Sequence, residues 1–401
     1  MVNNVKTQLC WTLLATKCIK QSYQSPPELL SMMETFRQMV NDCIRIGIAN
    51  NCSTMKRLSI LSYKELSNYK ILSYYKLTAI SQASGRLALM KKDIKKGRTP
   101  KSPYVSKPYL VSCYGFKIIG MLLSIPISNH DKFLVRLNDY TISQLENVEP
   151  RPFTITPNSI SISVRKEMEQ IIPENVIGID RNLRNITAFD GKQSIMYKTN
   201  KLLSIKENTS HVIASFRRLD IRKKKSFQQR LGNRRSRRIQ QHLHKISKDI
   251  VQRAVESKSI IVMEDLKGIR KLYKTGNGQG NKYRRRLNSW SFYELQRQIT
   301  YKAEWEGIQV QFVDPKRTSK LCPICGDRLQ EDKFQLRKLL CINCKKSIDR
   351  DVVASMNIAY KGWSRFCHPR GLLVEAVNGN LENFQPVILR VDGSKLIVGK
   401  K

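Results

Sequence analysis

The sequence predicts a multidomain α/β protein. Its second half reads as a mixed-sheet domain with a metal-binding insertion, and its first half as a β module interrupted by helices. Three observations carry that prediction. After residue 171, apolar runs of strand length alternate with amphipathic text in the order strand, strand, strand, helix, strand, helix, strand. Two Cys-x2-Cys pairs follow the last of those strands and precede a final helix. In the first half, "KKGRTPKSPYVSKP" separates helical from strand-like text, because three prolines and a glycine forbid a helix there.

In chain order, residues 3–20 carry β-branched and apolar residues suited to a strand. "SPPE" then reads as a helix start: Ser25 as the cap, prolines in the first turn where no amide is needed, and Glu28 three residues after the cap. Leu30, Met33, Val40 and Ile44 continue at helical spacing, and Leu66, Tyr69, Leu72, Leu77 and Ile80 do likewise, which predicts a helical block over 25–97. From Tyr104 to about Val164 the text turns strand-like, with "YLVSCYGF" and "KFLVRLND" as the clearest runs. Residues 1–24 and 98–170 therefore read as one β module with the helical block inserted.

A new domain opens after "IIPEN". "VIGID" (176–180) and "ITAF" (186–189) are short buried strands, Asp190-Gly191 is a hairpin turn signal, and "SIMYK" is a third strand. Residues 211–256 are helical text with Ile239, Leu243, Ile246, Ile250 and Ala254 on one face, and Gly232-Asn233 is placed to turn a helical hairpin within it. "SIIVME" is the fourth strand, "SFYELQRQITYKAEWEG" a helix ending at Gly307, and "IQVQFVD" (308–314) the fifth strand. That order is the order of an RNase H-like fold.

Composition narrows the partners. Lys and Arg number 72 against 32 acids, a net charge of +40 concentrated in runs, and such a field draws polyanions, nucleic acid first. A hydrophobic content of 41% argues for folded cores over a basic disordered tail. No stretch approaches the ~20 apolar residues of a membrane span, and the apolar patch at the start is too interrupted for a secretory signal. Cys10, Cys18, Cys43, Cys52, Cys113 and Cys367 share no spacing and read as buried or inert thiols of a reducing, cytoplasmic compartment.

Asp180 ends the first strand of the second half and Glu264 the fourth. In an RNase H-like fold these strands lie side by side in parallel, so both carboxylates reach one edge of the sheet. Asp351 in "DRDVVASMNIAYKGW" begins a helix whose apolar face is Val352, Met356 and Ala359, and it supplies a third acid. Each acid alone has an ordinary structural reading: a turn for Asp180, a strand-end charge for Glu264, a helix N-terminus for Asp351. Jointly, three hard oxygen ligands in a basic cleft suit Mg²⁺, and two such ions about 3.5–4 Å apart support in-line phosphodiester hydrolysis. Asp349 and Asp265 read as caps.

Cys322-x2-Cys325 and Cys341-x2-Cys344, fifteen residues apart, have the spacing of a four-thiolate structural zinc site. A redox pair is the rival reading, and it does not account for two pairs.

The blocks "GIDRNLRNITAFDG", "IIVMEDLKGI", "SFYELQRQITYKAEWEGIQVQFVDPKRTSKLCPICG" and "CINC…DRDVVASMNIA" resemble, over about residues 171–363, the RuvC nuclease domain and inserted zinc finger of transposon-encoded TnpB proteins, relatives of compact type V CRISPR effectors. The N-terminal part is similar only in layout, to the wedge and recognition modules of that family. The resemblance implies a RuvC-like nuclease domain over 171–319 and 347–370, a target nucleic-acid-binding zinc finger over 320–346 and a C-terminal tail over 371–401. It implies Asp180, Glu264 and Asp351 as catalytic acids holding two Mg²⁺, and Cys322, Cys325, Cys341 and Cys344 as ligands of one Zn²⁺. A guide RNA from the transposon end is implied, with double-stranded DNA cut beside a short adjacent motif and one strand displaced. The sequence departs at Val353, where the family usually has Asn two positions after the last Asp.

"SFRRLDIRKKKSFQQRLGNRRSRR" (215–238) holds one acid, Asp220, among Arg217, Arg218, Arg222, Lys223, Lys224, Lys225, Arg230, Arg234, Arg235, Arg237 and Arg238. A solvated helix face mixes signs, so this run reads as phosphate contact. "KTGNGQGNKYRRR" (274–286) fits either a mobile lid beyond Glu264 or a linker. The leading function is RNA-guided DNA endonuclease. A nuclease-inactive guided binder, a strand-joining recombinase or transposase, and a compact CRISPR effector are the alternatives, and the oligomeric state on the RNA is open.

Overall fold

The computed structural model describes residues 12–216, 220–269, 278, 280–332, 335–366, 388–392 and 395–397. The chain divides into two compact units, one of Leu14–Glu167 and one of Met168–Lys401 with Met1–Leu13.

The first unit runs β1 (Thr12–Ser22), α1 (Pro27–Ala49), α2 (Met55–Leu66), α3 (Ser73–Lys95), β2 (Leu110–Ser112), β3 (Lys117–Ile119), β4 (Leu122–Pro126), β5 (Lys132–Arg136), α4 (Asp139–Leu145), β6 (Glu149–Thr156) and β7 (Ser159–Glu169). One sheet has the order β1-β7-β6-β2 and a smaller one β3-β4-β5, so the three long helices lie in the chain between strands of a single sheet. Phe36, Met39, Val40, Leu58, Tyr75 and Ile80 are fully buried among the helices, and the Tyr75 hydroxyl donates to Pro126 O (2.9 Å).

Three expectations for this unit need correction. The N-cap of α1 is Pro26, with no side-chain cap, while Ser25 Oγ donates to Thr156 O (3.3 Å). The run "YLVSCYGF" yields only the three-residue β2, because Gly115 turns the chain at φ 76°. The strand-like stretch also contains α4, which Asn138 starts by accepting from Thr141 N (2.7 Å).

The second unit runs β8 (Asn175–Arg181), β9 (Asn185–Phe189), β10 (Ser194–Lys198), α5 (Asn200–Ser215), α6 (Ile221–Glu256), β11 (Ser259–Glu264), α7 (Asn281–Ser289), α8 (Phe292–Trp305), β12 (Val310–Val313), β13 (Gln330–Glu331), β14 (Lys338–Cys341), β15 (Lys346–Asp349), α9 (Arg350–Phe366), β16 (Ile388–Asp392) and β17 (Lys395–Ile397). Its main sheet has the order β12-β11-β8-β9-β10-β16-β17. β8, β9 and β10 form an antiparallel meander, β11 is parallel to β8 and β12 to β11. Asp190-Gly191 makes the β9–β10 turn, Asp190 Oδ1 accepting from Lys192 N and Gln193 N. A separate three-stranded sheet, β13-β14-β15, carries the cysteine insertion.

Strand alternation gives the main sheet two apolar faces. Ile177, Ile179, Ile261 and Met263 pack with Ile239, Leu243, Ile250, Leu295 and Ile299 of α6 and α8. Val176, Ile260 and Val262 pack on the opposite face with Val352, Val353, Met356 and Ala359 of α9. Gly178 lies on that second face. A Cβ there would come within 2.2 Å of Ser355 O and 2.5 Å of Ala359 N, so α9 seats backbone against backbone on β8. Gly362 makes the reciprocal approach to Val262.

Three further expectations change. α6 is one helix through Gly232-Asn233, with no hairpin. A helical glycine costs only about 1 kcal/mol, and the Arg, Lys and Gln around it favour the helix. Part of "KTGNGQGNKYRRR" is helical, as α7, while residues 270–277 and 279 lie outside the described residues. Strands β16 and β17 belong to the segment read as a C-terminal tail, β16 lying parallel to β10. Of the cysteines read as buried or inert, Cys43 and Cys52 are buried, Cys18 and Cys113 are exposed, and Cys10 and Cys367 lie outside the described residues. Among the described residues no helix is long and apolar enough to cross a membrane.

Candidate functional site

β8 and β11 pair with Met263 opposite Ile179, so Asp180 and Glu264 follow at the same end of neighbouring parallel strands. Both continue the sheet face that α9 covers, and the close approach at Gly178 brings Asp351, in the first turn of α9, to the same corner. Asp180 and Asp351 are buried, and Glu264 is half-buried.

The three carboxylates interact. Burial, then the charges of Glu264 and Asp351, push the Asp180 carboxyl up to about 8, against the opposing effect of the Asn182 hydrogen bond. Burial also raises Glu264. Asp180 and Glu264 thus resist ionisation even with Arg181 beside them, which is the electrostatic condition a divalent cation relieves.

Each acid is held by neighbours. Asn182 Nδ2 donates to Asp180 Oδ2 (2.5 Å) and to Asp351 Oδ1 (2.8 Å). Asn185 Nδ2 donates to Asp351 Oδ2 (2.6 Å), which also pairs with the Arg337 guanidinium. Thr318 Oγ1 donates to Glu264 Oε1 (2.7 Å). Asn357, two turns along α9, fixes the loop bearing Thr318 by donating to Thr318 O (2.7 Å) and Leu321 O (2.9 Å). Arg181, buried next to Asp180, reaches Gln296 Oε1 (3.0 Å) and the Glu264 carbonyl, and burial lowers its pKa to about 10. Asp349 caps α9 by accepting from Asp351 N (2.8 Å), and Asp265 closes a turn by accepting from Lys267 N (3.1 Å). Val353 is fully buried in the core beneath α9.

The four cysteines converge, their sulfurs all within 4.8 Å of one another, so they could hold a metal ion. Cys322 and Cys344 sulfurs are 3.9 Å apart and those of Cys325 and Cys341 3.4 Å. Four Zn–S bonds of about 2.3 Å in a tetrahedron set sulfurs about 3.8 Å apart, so the set fits zinc. Cys344 N donates to Cys341 Sγ (3.4 Å), as the amides of such turns do toward a thiolate.

Comparison with known proteins bears on both clusters. Residues 292–358 match the model of the Cas12f1-like TNB domain. The TnpB-like protein MJ0751 of Methanocaldococcus jannaschii is 39% identical over 217 residues, which cover 52% of this chain and 76% of that protein. The chain belongs to the TnpB-like family. The CRISPR-associated endodeoxyribonuclease Cas12f1 of Sulfoacidibacillus thermotolerans is 35% identical over 117 residues, 29% of this chain and 25% of that protein. In fold, the chain is similar to the Cas12f1 of a Cas12f1–sgRNA–target DNA complex, with a TM-score of 0.54, 13% identity, and coverage of 83% of this chain and 81% of that one.

In this TnpB-like chain the basic run occupies the N-terminal half of α6. No residue of α6 before Ile239 is buried, and from there Ile239, Leu243, Ile246, Ile250 and Ala254 face the sheet. Arg222, Lys223, Lys224, Lys225, Arg230, Arg234, Arg235, Arg237 and Arg238 therefore stand on a length of helix that leaves the core. At 1.5 Å per residue that length is about 27 Å. Toward its N-terminal end, Phe216 and Phe227 stack (5.4 Å between centroids) and Arg230 lies over Phe227 (4.8 Å). Arg217 and Arg218 lie outside the described residues.

Asn182, Asn185, Thr318, Arg337 and Asn357 were not singled out from the sequence. Asn182 and Asn185 follow Asp180 closely in "DRNLRN", a cue that local reading could have taken up. Thr318 and Arg337 act on acids 54 and 14 positions away, and no local pattern marks them.

Proposed function

We propose that this chain is an RNA-guided DNA endonuclease of the transposon-associated kind, hydrolysing phosphodiesters at Asp180, Glu264 and Asp351. The observation that carries the reading is the convergence of these three acids, two buried and one half-buried, at one end of the β8–β11 pair, in a chain of net charge +40. Membership of the TnpB-like family and the Cas12f1 relatives support guidance by RNA and DNA as the substrate. The sheet order, an antiparallel meander followed by parallel β11 and β12, supports naming residues 171–319 and 347–370 an RNase H-like, RuvC-type domain. By layout, the two sheets of the first unit act as the wedge and α1–α3 as the recognition block.

In this reading the three carboxylates would hold two Mg²⁺ ions, which would supply Lewis-acid polarisation and a water nucleophile at neutral pH. Asp180, whose carboxyl burial pushes up to about 8, would serve as a ligand in its ionised form. Thr318 and Asn182 hold the carboxylates in place, and Arg181 fixes the backbone at Glu264. The four cysteines hold one structural Zn²⁺, a closed site with no position for a reacting water. The α6 run, with Arg217 and Arg218 before it, neutralises phosphates of the guide, the heteroduplex or the displaced strand. The guide comes from RNA encoded at the transposon end, and cutting occurs beside a short adjacent motif.

The test is to purify the protein from cells carrying its native flanking DNA, sequence the RNA that co-purifies, and offer the complex a matching DNA with Mg²⁺. A discrete RNA, and cleavage that Glu264→Gln abolishes, is the expected result. A discrete RNA without cleavage would leave a guided binder, and no RNA would overturn guidance.

A further inference from the structure

Asn182 and Asn185 both donate to Asp351, but from different settings. Asn182 is half-buried in the turn after β8 and spans two acids with one amide nitrogen. Asn185 is the first residue of β9, buried, with its Nδ2 on Asp351 Oδ2 and its Oδ1 without a hydrogen-bond partner. Every residue of β9 is buried, and its neighbours Ile186, Ala188 and Phe189 are apolar. A carboxamide there, its oxygen without a partner, is a costly choice for stability alone. What it gains is one bond, to an acid.

We propose that Asn185 is a positioning residue for Asp351. Its amide fixes the carboxylate from the β9 side, so that Asp351 meets an incoming divalent cation already oriented. This rests on the reading of Asp351 as a metal ligand. The alternative hold on Asp351 Oδ2 is Arg337, on the cysteine insertion; its side chain is exposed, so it gives a looser hold than a buried amide on a strand. A strand-borne donor acting on a ligand in this way tunes metal affinity without touching the metal.

The experiment titrates Mn²⁺ into the purified full chain, read by electron paramagnetic resonance, and records thermal melting of the same samples. Asn185→Leu removes the donor and the orphan oxygen together. The expected result is Mn²⁺ binding weakened about tenfold to a hundredfold with melting kept near the wild-type temperature. Asn185→Ser, which keeps a short donor, should recover part of the affinity; it also serves if the leucine variant does not fold. Asp351→Asn calibrates the scale. If Asn185→Leu binds Mn²⁺ as wild type does while Asp351→Asn loses it, the positioning role is overturned and the acid site stands. If Asp351→Asn also binds normally, the acid site falls, and the positioning role with it. A variant that loses affinity only in step with its melting temperature would make Asn185 a merely structural residue and overturn the proposal.

Discussion

The four-thiol cluster and the three-carboxylate cluster lie close in the chain, Cys344 only seven residues before Asp351, yet they are built in opposite ways. Each half of the thiol cluster comes from one tight turn, and the two turns are joined by the small β13-β14-β15 sheet. The carboxylates come from β8, β11 and α9, and meet only because a seven-stranded sheet sets two strand ends together and Gly178 lets a helix seat on it. A local site needs only its own segment to fold. A distributed site depends on the whole domain and can be tuned from many positions.

That contrast can be broken by substitution. The largest effect is expected from Asp180→Ala, which should lower DNA cleavage by more than about a thousandfold, since the charge stabilisation lost is several kcal/mol at 1.36 kcal/mol per decade. Bound zinc should not change. A variant protein stripped of zinc as well, measured by elemental analysis, would show that the two clusters are not independent. Next, Cys341→Ser should release the zinc and open the insertion to limited proteolysis within 320–349, because structural zinc supplies folding free energy directly. Melting of the sheet domain should move far less, and one cooperative collapse of both would contradict the local character of the thiol site.

Thr318→Val sharpens the comparison from the distributed side. It removes the hydroxyl donor to Glu264, and a hydrogen bond to a charged group is worth about 1.5–3 kcal/mol, so cleavage should fall about tenfold to a hundredfold with guide binding intact. An unchanged rate would mean that Glu264 needs no such hold. The remaining effect is a slope, read on stability and not on cleavage. The folded pKa of Asp180 is about 8 against an ordinary 3.8, so the folded state prefers the protonated acid. The stability this gives the metal-free chain is complete below about pH 4 and is lost as pH rises from about 4 to about 8. Melting without metal should therefore drop across that window, Mg²⁺ should restore more at the upper end, and Asp180→Asn should flatten the slope. The same slope in the asparagine variant would assign the effect to other groups.

What could be read from the sequence follows the same division. β8, β9, β10, β11 and β12 are apolar runs with turn residues between them, and their positions could be read within a residue or two. The cysteine spacing declared its cluster outright. The three acids could be named from their places at the ends of strands and a helix, though their union depends on Gly178, whose role shows only once α9 lies against it. Gly232-Asn233 misled, because a turn dipeptide in a run of strong helix formers loses to the helix. Strands β16 and β17 escaped because β16 owes its existence to β10, almost two hundred residues away. The grip of Thr318, Asn185 and Arg337 on the acids could not be read at all, since hydrogen bonds across a fold leave no periodicity.

Asn357 bears on how such proteins can be rebuilt. It sits on α9, beyond the cysteine insertion in the chain, and clasps the loop that leads into that insertion, the same loop that steadies Glu264. The insertion thus leaves and rejoins the domain through a closed collar of residues 318–321 and 349–357. A graft that exchanges the cysteine-bearing segment inside that collar should leave cutting competence with the host. A graft that takes the collar as well should carry the donor's catalytic alignment, or its faults, along with it.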